Sequence, residues 1–309
     1  MANSAFDLVG LDFQSIRNNL TAYLKSQSKF ADVDFEGSNI SVLLDLLSYN
    51  THLNSFYLNM VASEMFLDTA QLYDSVVSHV KELNYLPRSR NSAKAIINLT
   101  ITPSSTVSSV TVPKGTSFTS KVGSSNYTFT TNESLVLTST NSSFTATNLD
   151  IYEGTYTTET FVMNYADTDQ RFTVSSNTMD TSSVTVSVYE DSMTVPDTYT
   201  YATSLFGLTG TSKSFFMQAG PARRYDILFG DNVIGRRPKD NSVIEVTYRN
   251  ASGSESDGAS LFVVDGTIDG HANVTVSTVS VATGGAFEEE LASIKFNAPR
   301  HFQNQERAI

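Results

Sequence analysis

Two patterns of apolar residues divide the chain. Up to about residue 90 the apolar positions recur at helical spacing, and beyond it they alternate with Ser and Thr at the two-residue period of a strand. Asp12 stands where an N-cap belongs, with Phe13, Ile16, Leu20, Tyr23 and Leu24 following on one face. Gly37-Ser38 marks a second start. The stripe behind it runs through Ile40, Leu43, Leu44, Leu47, Phe56, Tyr57, Met60 and Val61. A third helix is predicted from near Asp68 through Leu72, Val76, Val80 and Leu83, ending at Pro87, which cannot continue it. Stripes this broad must be buried, in an intramolecular bundle or against partner helices. Leu43, Leu47, Tyr57 and Met60 form the candidate partner interface, although the chain's own Leu72–Leu83 helix would cover that face equally well.

Past Arg90 the texture changes. Of the fifty residues from Ile101 to Asp150, 24 are Ser or Thr. Thr and Val are stiff at χ1 and suit a pleated surface, so the alternation predicts sheet. Strands are expected at Ala95–Ile101 and Ser108–Val112, with Pro113-Lys114-Gly115 as a turn. Further strands are expected at Tyr127–Thr130, Leu135–Leu137, Thr160–Met163, Val184–Tyr189, Phe215–Gln218, Asp226–Phe229, Val243–Tyr248 and Val274–Val281. Phe229, Gly230, Asp231, Asn232 and Gly235 read as a structural turn between strands, with Gly at the tight positions and Asp and Asn able to bond their own backbone. A helical block followed by a Thr/Ser-rich, mainly antiparallel β body is an α+β fold, not a parallel α/β sheet. The expected division is a helical region to residue 90, a β domain over 91–220 and a second β segment over 221–286. Residues 287–309 are expected to begin an incomplete, extended or poorly packed C-terminal element, although Phe287–Ser293 reads as a short helix start.

Composition narrows the function. The chain has 309 residues, 40% of them apolar and 17% charged, enough for a sizeable core. Its net charge is −12, and Asp150–Tyr199 holds nine acidic residues against one basic, Arg171. With no stripe of Lys and Arg to displace counterions, neither nucleic acid nor an anionic membrane surface is an expected partner. The lack of cysteine removes disulfides and thiolate chemistry. The opening residues show no signal-peptide pattern, and no apolar run approaches the roughly 20 residues of a membrane span.

The usual catalytic constellations are missing. There is no G-x-S-x-G elbow, phosphate loop or H-E-x-x-H, and His52, His79, His271 and His301 share no ligand spacing. Asp32-Val33-Asp34-Phe35-Glu36-Gly37 imitates the opening of a calcium loop. However, the twelfth position, which must supply a carboxylate, is Leu43. Asp34 and Glu36 are better read as acidic residues at a helix N-terminus. Arg236-Arg237-Pro238-Lys239 is the one dense basic cluster. Flanked by Asp231 and Asp240, it reads first as a salt-bridged turn, with Arg236 and Arg237 as candidate docking charges for an acidic partner surface. No cofactor, metal or small-molecule substrate is expected.

Three long strings carry a family resemblance. Phe30–Pro87, containing DFEGSNISVLLDLLSYN, closely resembles the N-terminal helices of the baseplate wedge subunit of large contractile-tailed phages. Ile151–Asn164 (IYEGTYTTETFVMN) is similar to the same family. So is Tyr225–Arg249, whose FGDNVIG turn also resembles the broader baseplate J-like group. Ser293–Ile309 is similar to a segment that in the family introduces a further C-terminal part, while Tyr73 stands where a basic residue is expected. The resemblance implies a non-enzymatic virion protein, assembled in the host cytoplasm, whose N-terminal helices join a bundle. Its implied partners are a second copy of the same subunit and other wedge or hub proteins, and it implies a part in the rearrangement on tail contraction. A carbohydrate-binding or adhesive β-protein of a tail fibre or surface is the alternative, weakened by the absence of Trp and by the unexplained helical block.

Overall fold

Asp12 opens the first helix as a cap should. Its carboxylate accepts the Ser15 amide at 2.9 Å and the Ser15 hydroxyl at 2.7 Å, and these bonds hold its pKa below the ordinary carboxylate value. Helix α1 then runs Phe13–Lys25 and α2 runs Asn39–Glu64. The structure is a computed structural model and describes residues 12–27, 39–104, 106–138, 143–191 and 194–304, so the Asp32–Gly37 segment and Ser38 lie outside it. The chain divides into a helical unit, 1–83 with 295–309, and a β unit, 84–294.

Helix α3 spans Tyr73–Glu82, a turn later than the Asp68 start predicted from pattern. The cause is Glu64, whose carboxylate accepts the amides of Gln71 at 2.8 Å and Leu72 at 3.2 Å and so bonds the intervening segment as a turn. Its other end also differs. Asn84, at φ 52, takes the left-handed conformation that terminates a helix, so α3 stops before Pro87 can act. The expectation of an extended C-terminal segment is corrected over Leu291–Asn304, which forms helix α4 with Ile294 and Ala298 fully buried one turn apart. Pro299 sits inside that helix and removes one backbone bond without ending it.

Fifteen strands are described in the β unit. One six-stranded sheet is ordered β14 (Phe262–Val264), β3 (Ser117–Val122), β4 (Ser125–Thr131), β6 (Phe144–Glu153), β1 (Lys94–Ile101) and β15 (Val274–Thr283). A seven-stranded sheet is ordered β7 (Thr155–Val162), β13 (Val243–Asn250), β9 (Met179–Tyr189), β10 (Asp197–Tyr201), β11 (Ser214–Ala219), β12 (Tyr225–Phe229) and β8 (Phe172–Thr173). β2 (Ser109–Val112) and β5 (Leu135–Thr138) form a separate ribbon. Among the described pairs only β10 with β11 is parallel.

Each large sheet buries its own core. Ile97, Leu99, Phe118, Phe129, Phe144 and Ile151 lead the first, with Phe129 and Phe262 edge to face at 4.9 Å. Val186, Val188, Phe215, Ile227, Ile244 and Val246 lead the second. The two sheets interleave along the chain, which leaves the first at Gly154, builds the second to Asn250 and then returns. β15 pairs with β1 from Lys94↔Thr283 to Ile101↔Val274, so residues 221–286 feed both sheets and the strands do not part near residue 220.

Candidate partner interface

Helix α2 has few buried positions among the described residues. Ser41, Leu44 and Ser48, on one face at spacings of three and four, are its buried positions. On that side Arg17 of α1 reaches Asp45 at 2.5 Å, and its Nη2 lies 3.4 Å from the Ser41 hydroxyl. The sequence-derived face lies elsewhere on the helix. Leu43 is 57% exposed, Leu47 53%, Tyr57 57% and Met60 42%. The chain's own Leu72–Leu83 segment therefore leaves these side chains open.

The exposed apolar surface is wider than those four residues. Val42, Leu46, Tyr49, Phe56, Leu58 and Val61 are exposed as well. At about 100° per residue these positions spread over roughly 200° of the helix circumference. A single stripe chosen at heptad-like spacing hides this width. Its signal in the sequence is the density of apolar residues from Val42 to Val61, which no one face can hold. The corner after α2 is firmly built. Burial alone would raise the Glu64 carboxyl, yet bonds from Gln71, Ser75 and Leu72, together with the Lys295 charge, hold it lowered. The His79 ring lies 2.9 Å from the Glu64 carbonyl.

The second candidate, the turn after β12, is held by its own polar groups. Asp231 accepts the amides of Val233 and Ile234, each at 2.9 Å, and those two bonds lower its pKa. Asn232 at φ 69 and Gly235 at φ 82 are left-handed, and the Asn232 amide donates to the Gly235 carbonyl at 2.9 Å. A Cβ on Gly230 would lie 2.2 Å from the Gly235 carbonyl oxygen, so only glycine fits there.

The basic cluster is matched inside the chain, though not by its sequence neighbours. Arg236 pairs with the buried Glu190 at 2.5 Å and with Asp197 at 3.5 Å, while Lys239 pairs with Asp191. Arg237 stacks over the Tyr165 ring at 4.3 Å and donates to the Asp167 carbonyl at 3.0 Å. Asp231 and Asp240 are used otherwise, the latter accepting the Tyr165 amide. Sequence spacing cannot foresee this, because the partners come from the loop after β9, the start of β10 and the segment after β7.

A buried, tyrosine-stacked arginine in the β unit escapes the sequence reading. Arg249, 2% exposed at the end of β13, is sandwiched between the rings of Tyr152 and Tyr156, each 4.8 Å from its guanidinium carbon. It donates to the Tyr156 hydroxyl at 2.6 Å and to Asn132 at 3.2 Å. Gly154 lies against it: a Cβ there would sit 2.1 Å from the Asn250 carbonyl oxygen. Two of the family-like strings, Ile151–Asn164 and Tyr225–Arg249, therefore meet at this contact. Among the described residues no group of three or more His, Asp or Glu could hold a metal ion, and no helix is long and apolar enough to cross a membrane.

Comparison with known proteins bears on the helices first. Residues 12–85 match the family described as baseplate wedge protein gp6-like, helical domain. Baseplate wedge protein gp6 of Enterobacteria phage T4 is 42% identical over 110 residues, a match that takes in 36% of this chain and 17% of that protein. A solved baseplate, that of the anti-feeding prophage by cryo-electron microscopy, aligns over 94% of this chain and 53% of the other at 11% identity. Its TM-score of 0.33 fixes neither fold nor function. Over residues 12–85 the chain is therefore similar to the helical domain of the gp6-like baseplate wedge proteins, and its match covers 17% of the length of the T4 relative.

Proposed function

We propose that the chain is a structural component of a contractile phage tail baseplate, acting by packing against other proteins and not by catalysis. The observation that carries this reading is the roughly 200° of exposed apolar surface on α2, since a helix apolar on most of its circumference is stable in water only when surrounded. One neighbouring helix covers a stripe of about 100°, so α2 calls for at least two besides α1. A second copy of the subunit and another wedge protein are the partners that fit. Each fully buried Leu, Tyr or Met contributes about 1.5–3 kcal/mol. A part in baseplate rearrangement on contraction rests on the resemblance of Phe30–Pro87 alone.

Analytical ultracentrifugation with co-expressed wedge proteins tests the reading. The chain is expected to associate in a concentration-dependent way, and Leu43→Glu with Leu47→Glu to abolish that association while the β unit melts as before. Association that survives both substitutions would sink the interface. Loss of folding in the double variant would show that the stripe belongs to the chain's own core.

A further inference from the structure

The chain passes between its two units twice, at 83/84 and at 294/295. Within the β unit the segments leading to these crossings run side by side. The Asn91 amide donates to the Ala286 carbonyl at 2.9 Å, Ala286 donates back at 3.2 Å, and the Glu289 amide donates to the Arg88 carbonyl at 3.0 Å. We propose that residues 85–91 and 286–290 form one paired stem within the β unit, locked by Glu288 and Glu289, so that the two segments open together and not independently.

The side chains carry this further than the backbone does. Glu289 is 6% exposed, and its carboxylate accepts the Tyr85 hydroxyl at 2.8 Å, the Arg88 amide at 3.1 Å and the Ser293 hydroxyl at 2.7 Å. One buried carboxylate thus bonds to the first segment, to the second and to the first turn of α4. A buried acceptor with this many donors is costly to undo, because each donor loses its partner together. Glu288 adds two cations. Arg90 reaches it at 2.8 Å from the first segment, and Arg223 reaches it from the left-handed turn between β11 and β12. Arg90 also lies over the Phe287 ring at 5.6 Å.

The stem is rooted as well as paired. The Tyr225 hydroxyl donates to the Pro87 carbonyl at 3.1 Å, and the Ser89 hydroxyl bonds Thr181 of β9, accepting its amide at 2.9 Å. Gly253 leaves room for the second segment, since a Cβ there would lie 2.9 Å from the Phe287 ring. Displacement of either segment is therefore resisted by bonds on both. This inference stands apart from the partner reading, because association through α2 does not enter either measurement below.

The chain has no cysteine, so a Cys pair at the exposed Arg88 and Glu290, one on each segment of the stem, can be spin-labelled in the otherwise unaltered protein. In Glu289→Ala, amide exchange at Asn91 and Ala286, one on each segment, is expected to rise together by on the order of tenfold or more, as for a local opening, with Ile244 and Val246 unchanged. The distribution of distances between the labels should broaden in the same variant. If Glu289→Ala fails to fold, Glu288→Gln, which keeps the size and removes the charge, decides by the same two readouts. Faster exchange confined to residues 286–290, or a label distribution as narrow as that of the parent, would overturn the single stem.

Discussion

The helical and β units solve the same problem in opposite ways. In the β unit, alternation sends Ile97, Leu99 and Ile101 of β1 into one core and Val186 and Val188 of β9 into another, and all five are fully buried. In α2, residues just as apolar stay in solvent, and Leu44 is the one large side chain on the helix that is buried. Short-range pattern therefore does not decide burial. What decides it is whether the chain carries the covering surface, and for β1 it does, in a core shared with Val110, Val112, Phe118, Phe129 and Leu137. The difference is one of burial: the apolar side chains of these strands are enclosed, and those of α2 are exposed among the described residues.

The comparison is broken most directly by cutting an equal apolar group from each side. Leu99→Ala in the first core should cost about 2–5 kcal/mol, the usual loss for a buried leucine. Leu47→Ala, half exposed on α2, should change the isolated chain by no more than about 0.5 kcal/mol. Urea denaturation followed by far-ultraviolet circular dichroism gives both values. Comparable losses would mean that α2 is covered after all.

A smaller effect is expected at the joint between the two sheets. Gly154 has φ +113 and no space for a Cβ against Asn250 and Arg249. Gly154→Ala should therefore destabilise by about 1–3 kcal/mol through backbone strain and displacement of the stacked arginine. Quenching of Tyr fluorescence by acrylamide would report the loosened Tyr152–Arg249–Tyr156 stack. Unchanged stability and quenching would show that the close approach is not maintained in solution.

Much of this fold was legible, and the misses have physical causes. Ten strand segments of the sequence reading fall on observed strands, because Thr- and Val-rich alternation is a local signal. β6 was missed because its alternation changes phase. Phe144 and Ala146 face the core, then Ile151 and Glu153 do, and between them Asn148 sits at φ 55. The ladder slips there between Ile97 and Leu99, with the Asn148 amide donating to the Asn98 side chain at 2.9 Å. β8 and β14, of two and three residues, are too short to carry a period. The α2 face was legible as apolar but not as open, because exposure depends on what the rest of the chain leaves uncovered. Pairings such as Arg236–Glu190 and Glu289–Tyr85 join residues far apart in sequence, and no spacing rule reaches that distance.

The smallest expected effect contrasts two carboxylates within the β unit and turns on sign. Burial pushes the Glu153 carboxyl above its ordinary value of 4.5, and bonds from Ser252 offset this only in part. Burial alone would also raise Glu288, but its backbone bond and the charges of Arg90 and Arg223 hold it below that value. A raised folded pKa means that the folded state binds the proton more tightly than the unfolded chain does. Glu153 therefore weakens the fold above its folded pKa, and that penalty is gone below about 4.5. Glu288 behaves oppositely, stabilising above 4.5 and losing that contribution as pH falls through its depressed folded value. Glu153→Gln keeps an acceptor for the Ser252 amide, which the carboxylate now binds at 2.9 Å. It should be at least as stable as the parent at pH 7, with the difference closing as pH falls toward 4. Glu288→Gln should be less stable at pH 7, and its deficit should shrink over a lower pH range. Thermal melts of the two variants and the parent from pH 3 to pH 8 check both. A Glu153→Gln variant less stable than the parent at pH 7 would mean that the buried carboxylate has a partner strong enough to outweigh its desolvation.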